Sequence, residues 1–238
     1  MTDFTEIWAY LSEGPLLWLT ATLVAFLAAD ALAERRGRPP LLHPVALSVA
    51  LLAGVLTVTG TPYETYFEGA QFVHFMLGPA TVALALPILD ERARAVRAAL
   101  PLVCALIAGS AAAMASALAV AAAFGGGVEA LTALAPKSAT APVAMGVAER
   151  LGGSPTLAAV LVIATGMIGA VAGPGLLSAA RVRDAQARGF ALGVAAHGIG
   201  AARAFQEGRV QGAYAGLGMG LNALLTALLA PLLLPLFL

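Results

Sequence analysis

Apolar residues in this 238-residue chain gather in long continuous runs, neither alternating as in a half-buried strand nor confined to one helical stripe. Residues 15–33 are apolar except for Asp30, and 41–60 follow after a basic turn. The runs 98–124 and 210–238 carry no charged residue, and 154–180 form a fifth run rich in glycine. Roughly 20 apolar residues cross a hydrocarbon core, and a lone strand could not satisfy its backbone there. The five runs therefore predict membrane-spanning helices.

Three further stretches have the right length and the wrong texture. Residues 71–89 contain Gly78-Pro79 and end their apolar run at Pro87; 131–148 contain Pro136-Lys-Ser-Ala-Thr-Ala-Pro142; 190–205 contain His197-Gly-Ile-Gly200 and then Arg203. Proline and glycine interrupt the helical ladder, and the freed backbone groups need partners. Interrupted helices with polar residues at the break are where transporters tend to bind their cargo.

Arginine placement predicts the orientation. Arg35, Arg36 and Arg38 follow the first run, Arg92, Arg94 and Arg97 follow the Gly-Pro stretch, and Arg181, Arg183 and Arg188 follow the run ending near 180. The loop 61–69 holds Glu64 and Glu68 and no basic residue. Putting every arginine loop in the cytoplasm places the N-terminus outside. It also makes 131–148 enter and leave on the outer side and 190–205 enter and leave on the inner side, so both predict re-entrant elements. Two internal pairings suggest themselves. The segments 80–86 and 139–145 share three identities over seven positions. Alternatively, Gly78-Pro79 matches His197-Gly-Ile-Gly200, each ahead of a long uncharged helix, as in an inverted repeat.

Composition agrees with a bilayer as solvent: 60% of residues are hydrophobic and 11% charged, against roughly 25% charged in soluble domains. No stretch remains for a soluble catalytic domain. Thirteen basic and thirteen acidic residues cancel, which offers no case for a nucleic-acid partner. Cys104 is the single cysteine, so neither a disulfide framework nor a thiolate metal cluster is expected. The start lacks the basic region of a cleavable signal and reads as an interfacial lead-in, with Trp8, Tyr10 and Trp18 suited to the headgroup level.

Lys137 is the only lysine and lies between two prolines in an apolar setting. An intramembrane charge is by default a functional residue; the plain alternative is an interfacial lysine that snorkels. Ser138 and Thr140 add hydroxyls beside it, a combination suited to a small carboxylate. His197 and Arg203 form a second cluster across Gly198 and Gly200, suited to anion or proton handling, or else to a cytoplasmic-edge pair. Thr81 follows Gly78-Pro79 and is as well explained by bonding back to its own helix. Gly212, Gly216 and Gly220 read as a packing stripe with Asn222 nearby. His43, His74 and His197 are scattered and no carboxylate stands at ligand spacing to them, so no metal site is expected. Walker, nucleophile-elbow and paired-carboxylate patterns are missing, and no enzyme or cofactor is expected.

Three stretches together resemble the LrgB/CidB family: Phe75-Met-Leu-Gly-Pro-Ala-Thr-Val-Ala-Leu-Ala-Leu-Pro87, Pro136-Lys-Ser-Ala-Thr-Ala-Pro-Val-Ala-Met145 and Gly193-Val-Ala-Ala-His-Gly-Ile-Gly-Ala-Ala-Arg203. The resemblance covers the chain from about Leu16 onward, and the Pro-Lys-Ser block is its most specific part. It implies a multi-pass protein of the bacterial inner membrane that often works with a smaller LrgA/CidA-type partner. Related plastid proteins export glycolate and glycerate; bacterial relatives are linked to pyruvate uptake and, as holin-like factors, to murein hydrolase export and lysis. Carried over residue by residue, it puts Gly78, Pro79, Thr81, Lys137, Ser138, Thr140, His197, Gly198 and Arg203 in the candidate site. The expected architecture is all-α: one polytopic LrgB-like domain, 1–238, with about six to eight membrane elements, some broken or re-entrant. The expected activity is secondary transport of a small monocarboxylate by a homo-oligomer, with a holin-like or antiholin-like regulator as the alternative.

Overall fold

The computed structural model describes residues 14–37, 39, 42, 44–76, 79, 82–83 and 85–238. Among them every regular element is helical, ten α-helices and one terminal 3-10 turn. The chain divides into two compact units, Met1–Ala83 and Leu84–Leu238.

The first unit contains α1 (Pro15–Arg35), α2 (Pro44–Thr59) and α3 (Tyr63–Phe75). Helix α1 packs on both α2 and α3. Trp18 is only 1% exposed, and its ring meets Tyr66 edge-on at 5.8 Å. Thr22 Oγ1 and Tyr66 Oη share a hydrogen bond of 3.1 Å in the same seam. The indole expected at the headgroups is thus part of a packed interface, where its large apolar area is removed from solvent. The run 41–60 gives a helix of 16 residues, about 24 Å long and shorter than the full span expected. Nor is 71–89 one continuous helix, because α3 ends at Phe75 and a turn follows at Met76; Pro79, Val82 and Ala83 are helical, and a further helix runs from Ala85. Trp8, Tyr10, Arg38, His43, Gly78 and Thr81 lie outside the described residues.

The second unit begins with α4 (Ala85–Arg97), which is short, amphipathic and rich in charge. Helices α5 (Ala99–Ala123) and α8 (Pro155–Ala179) have 25 residues each and no charged side chain. At 1.5 Å per residue each is about 37 Å long, enough to cross a hydrocarbon core of about 30 Å. Ser154 caps α8, its Oγ accepting from the Leu157 amide at 3.2 Å, and Pro155 opens the first turn. With α1 and α10 (Arg209–Leu233) these make four helices long and apolar enough to cross a membrane.

Between α5 and α8 lie α6 (Val128–Leu134) and α7 (Ala141–Arg150), of seven and ten residues. Neither is long enough to cross. The end of α7 returns to the start of α6: Leu131 packs in one cluster with Val147 and Leu151, and Ala133 with Ala148 and Ala158. The chain enters and leaves on one side, as the arginine distribution requires.

Helix α9 (Ala185–Glu207) is a second hairpin. Asp184 caps its start, Oδ1 accepting from the Ala187 amide at 2.8 Å. Its backbone leaves the helical region at Ala196 (φ −128°, ψ 18°) and His197 (φ 42°, ψ −133°). Arg188 near its start and Glu207 at its end form an ion pair of 3.3 Å. A straight helix would hold those residues about 28 Å apart, so the two halves fold back on each other. Gly200 makes this possible, since a side chain there would run into the Leu192 carbonyl.

The two hairpins open at opposite ends. The α6–α7 base packs against Met114 and Leu118, late in α5, and against Ala230 and Leu234, at the end of α10 and the start of the 3-10 turn. The first half of α9 packs against Leu102, Leu106, Val210 and Tyr214, early in the same helices. A 25-residue span followed by a hairpin therefore occurs twice with opposite sense, α5 with α6–α7 and α8 with α9. This inverted succession stands beside the two pairings drawn from sequence, one of which falls on Gly78, outside the described residues. Arg92, Arg94, Arg97, Arg181, Arg183, Arg188 and Arg209 gather at one end, where Asp90 pairs with Arg209. The asymmetry satisfies the positive-inside rule.

Helix α10 lies along the α9 hairpin at backbone contact. Gly193 faces the Ala215 backbone so closely that any side chain would collide with its carbonyl. The expected glycine stripe holds in part: Gly212 abuts Phe205 and Gly216 is buried, but Gly220 faces open space. Gly218, against the Phe190 carbonyl, takes its place. Gly193→Val is accordingly expected to destabilise the protein by about 1–3 kcal/mol or to prevent assembly, through overpacking. Gly220→Leu is expected to leave the melting temperature of the detergent-solubilised protein unchanged. Equal melting temperatures for both variants would contradict this packing.

Candidate functional site

The first interruption is a run of turns from Pro136 to Thr140. The Lys137 amide donates to Leu134 O at 3.1 Å, and the Ala139 amide to Pro136 O at 2.9 Å. Thr140 then starts α7 in an extended conformation, with no side-chain cap bond, and Pro142 stands in the first turn. The leading amides of α7 thus face the interruption without a capping oxygen, the positive end of a helix dipole. The second interruption leaves His197 at a positive φ, a conformation that costs a non-glycine residue of order 1–3 kcal/mol unless its surroundings enforce it. They do. His197 Nε2 bonds to Val162 O at 2.9 Å, and a side chain at Gly166 would strike the ring.

A carbonyl only accepts, so Nε2 of the neutral ring carries the proton and Nδ1 is left with the lone pair. Val162 links this histidine to the other interruption, because its side chain packs in one cluster with Ala139 and Ala144.

Asn222, near the middle of α10, joins everything. Its Nδ2 donates to Ser138 O at 2.9 Å and to Val194 O at 3.1 Å, one carbonyl from each interrupted hairpin. Its Oδ1 accepts from Ser110 Oγ, near the middle of α5, at 2.6 Å. Asn222 is 1% exposed and Ser110 3%. All three polar functions of this buried network are engaged, the condition under which such a network stabilises rather than costs.

Beside this junction lies Lys137. Its Nζ donates to Ser138 Oγ at 3.2 Å. Among the described residues no carboxylate forms an ion pair with it. A half-buried ammonium and the Ser138 hydroxyl thus stand at the interruption that ends in Thr140 and the uncapped start of α7. That arrangement favours a small anion.

The structure brings together Lys137, Ser138 and Thr140 at one interruption and His197 and Gly198 at the other. Arg203 is elsewhere, about 9 Å further along its half-helix, bonded to Gln206 Oε1 at 3.2 Å and paired with Glu207 at 3.8 Å. Pro79 belongs to the other compact unit and is exposed; Gly78 and Thr81 are outside the described residues. Sequence reasoning passed over the structural role of Ser110 and Asn222. One signal was available: Asn222 is the only asparagine of the chain and sits in a 25-residue helix with no charge beyond its first residue.

Asn222→Ala leaves two carbonyls and a hydroxyl unpaired in the interior. The expected loss is about 2–5 kcal/mol, from the desolvation of each orphaned group, read as a fall in melting temperature. Asn222→Asp, nearly isosteric but unable to donate to two carbonyls when ionised, is expected to be no more stable than the alanine variant. Parent-like melting of the aspartate variant would contradict the assigned bonds.

Over residues 22–236 the sequence matches the LrgB-like family. The Bacillus subtilis (strain 168) protein YwbG is 35% identical over 201 residues, 84% of this chain and 89% of the relative. YxaC of the same strain is 34% identical over 195 residues, 82% and 84% of the two chains. A Staphylococcus epidermidis protein named holin-like protein CidB is 28% identical over 204 residues, 86% and 89%. No solved structure matches the chain significantly. The family match begins within α1 and spans α5, α8, both interrupted hairpins and α10, and the chain belongs to the LrgB-like family of multi-pass membrane proteins.

Proposed function

We propose that the protein is a secondary carrier of small monocarboxylates, such as glycolate, glycerate or pyruvate, in the bacterial inner membrane. The observation that carries this reading is the Lys137 ammonium, set where two interrupted hairpins meet and paired with no carboxylate of the described chain. One uncompensated cation at membrane depth matches one carboxylate. The Ser138 and Thr140 hydroxyls suit the 2-hydroxyl or 2-oxo oxygen of such acids, and the amides opening α7 add positive potential. Gly198, exposed beside His197, leaves room for the ligand at the second interruption. His197 offers Nδ1 to a coupling proton. In this reading the chain works as a single membrane domain within a homo-oligomer, alone or beside an LrgA/CidA-like subunit. Hairpins entering from opposite faces support alternating access around a fixed central site.

A second reading, a holin-like regulator of lysis and murein hydrolase export, is favoured by similarity to the protein named holin-like CidB. Uptake of labelled pyruvate and glycolate into proteoliposomes of the purified protein separates the two. Lys137→Ala is expected to fold, because it removes a charge that lacks a counter-ion. It is expected to weaken substrate binding by about 2–5 kcal/mol, the scale for losing one partner of a desolvated charge pair. Lys137→Arg is expected to restore only part, since a planar fork does not replace a compact ammonium. Parent-level uptake by the alanine variant would move the site away from Lys137, and no uptake by the parent would favour the regulator.

A further inference from the structure

The base of the α9 hairpin holds a charge imbalance that the fold does not need. Glu207 alone faces two guanidinium groups, Arg188 at 3.3 Å and Arg203 at 3.8 Å. Arg188 is otherwise spent on structure, donating to Pro174 O, Val182 O and Ser178 Oγ and so tying the end of α8 to the hairpin. Arg203 has no such employment. Its one hydrogen bond goes to the neutral Gln206 Oε1 at 3.2 Å. Its Nε is buried without a hydrogen-bond partner, because 3.8 Å from Glu207 is an ion-pair separation and too long for a hydrogen bond. A buried donor left open costs free energy that an added acceptor would recover.

The position of Arg203 gives that acceptor a route. Gly198, Ala202 and Gln206 are exposed and stand four residues apart, hence on one face of the second half of α9. They form a path of small or neutral side chains from the interruption at His197 to Gln206, the residue to which Arg203 is bonded. No carboxylate lies on it.

Resting on the carrier reading above, we infer that Arg203, with Arg188 behind it, forms a second anion-binding station. A monocarboxylate docks there at the arginine-rich face before or after occupying the Lys137 site. The carboxylate fills the open Nε position of Arg203, and Glu207 competes with it for the same guanidinium. Glu207 thereby keeps the station weak enough to release its cargo.

The test is pyruvate transport in right-side-out and inverted vesicles, with half-saturation measured separately from each face. Arg203→Gln is expected to raise the half-saturating concentration about five- to tenfold at the arginine-rich face. The opposite face should be unchanged, and Arg203→Lys should recover only part of the parent value, because an ammonium lacks the Nε donor. Glu207→Gln, which removes the competitor, is expected to lower half-saturation at the arginine-rich face, and it decides the matter alone where Arg203→Gln fails to assemble. Equal shifts at both faces would place Arg203 in the central site and overturn the station. So would parent-like values for Arg203→Gln and Glu207→Gln in a protein whose transport is lost in Lys137→Ala, with the carrier reading left standing. A parent protein that moves neither pyruvate nor glycolate overturns that reading and the station with it.

Discussion

Every interruption of a helix inside a bilayer leaves backbone carbonyls and amides that water cannot reach, and the second unit is organised around meeting that demand. A single primary amide does most of it. Asn222 donates one proton to the carbonyl of Ser138 and the other to that of Val194, and accepts from Ser110. Four elements of the chain are thereby fixed at one depth: two long helices and the tips of two hairpins. The bonds are also mutually exclusive with water, since Asn222 and Ser110 are both nearly inaccessible. Remove the amide and neither hairpin has a partner for its open carbonyl.

From that constraint the electrostatics follow. The tip that Asn222 holds carries Lys137 with it, and no described carboxylate pairs with the only lysine of the chain. The surplus charges of the arginine-rich end are handled differently, by pairing with Glu207, Asp90 and Glu91 in positions that solvent partly reaches. Acidic residues pair with the arginines of that end, and none of the described ones pairs with Lys137. The inverted succession of span and hairpin extends the same logic, because it brings one interruption from each face of the membrane to a shared centre.

Much of this was legible from residue order. Long charge-free runs specify spanning helices by length alone, and four of the five expected runs form them. Proline and glycine in Pro136–Pro142 and at His197–Gly200 marked the interruptions, because no continuous helix tolerates those residues beside a lone charge at depth. The arginine clusters then required both stretches to turn back, as they do. Less could be read where the answer depends on which surfaces touch. Nothing local distinguishes Gly218, pressed against a carbonyl, from Gly220, which faces open space. Arg203 is six residues from His197 in sequence, yet a half-helix carries it to the opposite end of the hairpin. Trp18, interfacial by type, packs edge-on against Tyr66, a partner that no local pattern announces. Asn222 escaped notice because its three partners come from positions 110, 138 and 194, and long-range pairing of that kind leaves no local pattern.

Because Asn222 is the sole asparagine, its side-chain nitrogen can be labelled without ambiguity. Solid-state NMR of the protein in lipid bilayers, with 15N-asparagine and 13C-carbonyl labels at serine and valine, measures directly whether that nitrogen touches both hairpins. The account predicts transfer from the Asn222 amide to the Ser138 and Val194 carbonyl carbons at about 4 Å, the separation expected across an N–H···O=C bond. Transfer to neither carbon, in protein that retains its helical content, would contradict the claim that the two interruptions meet at this residue.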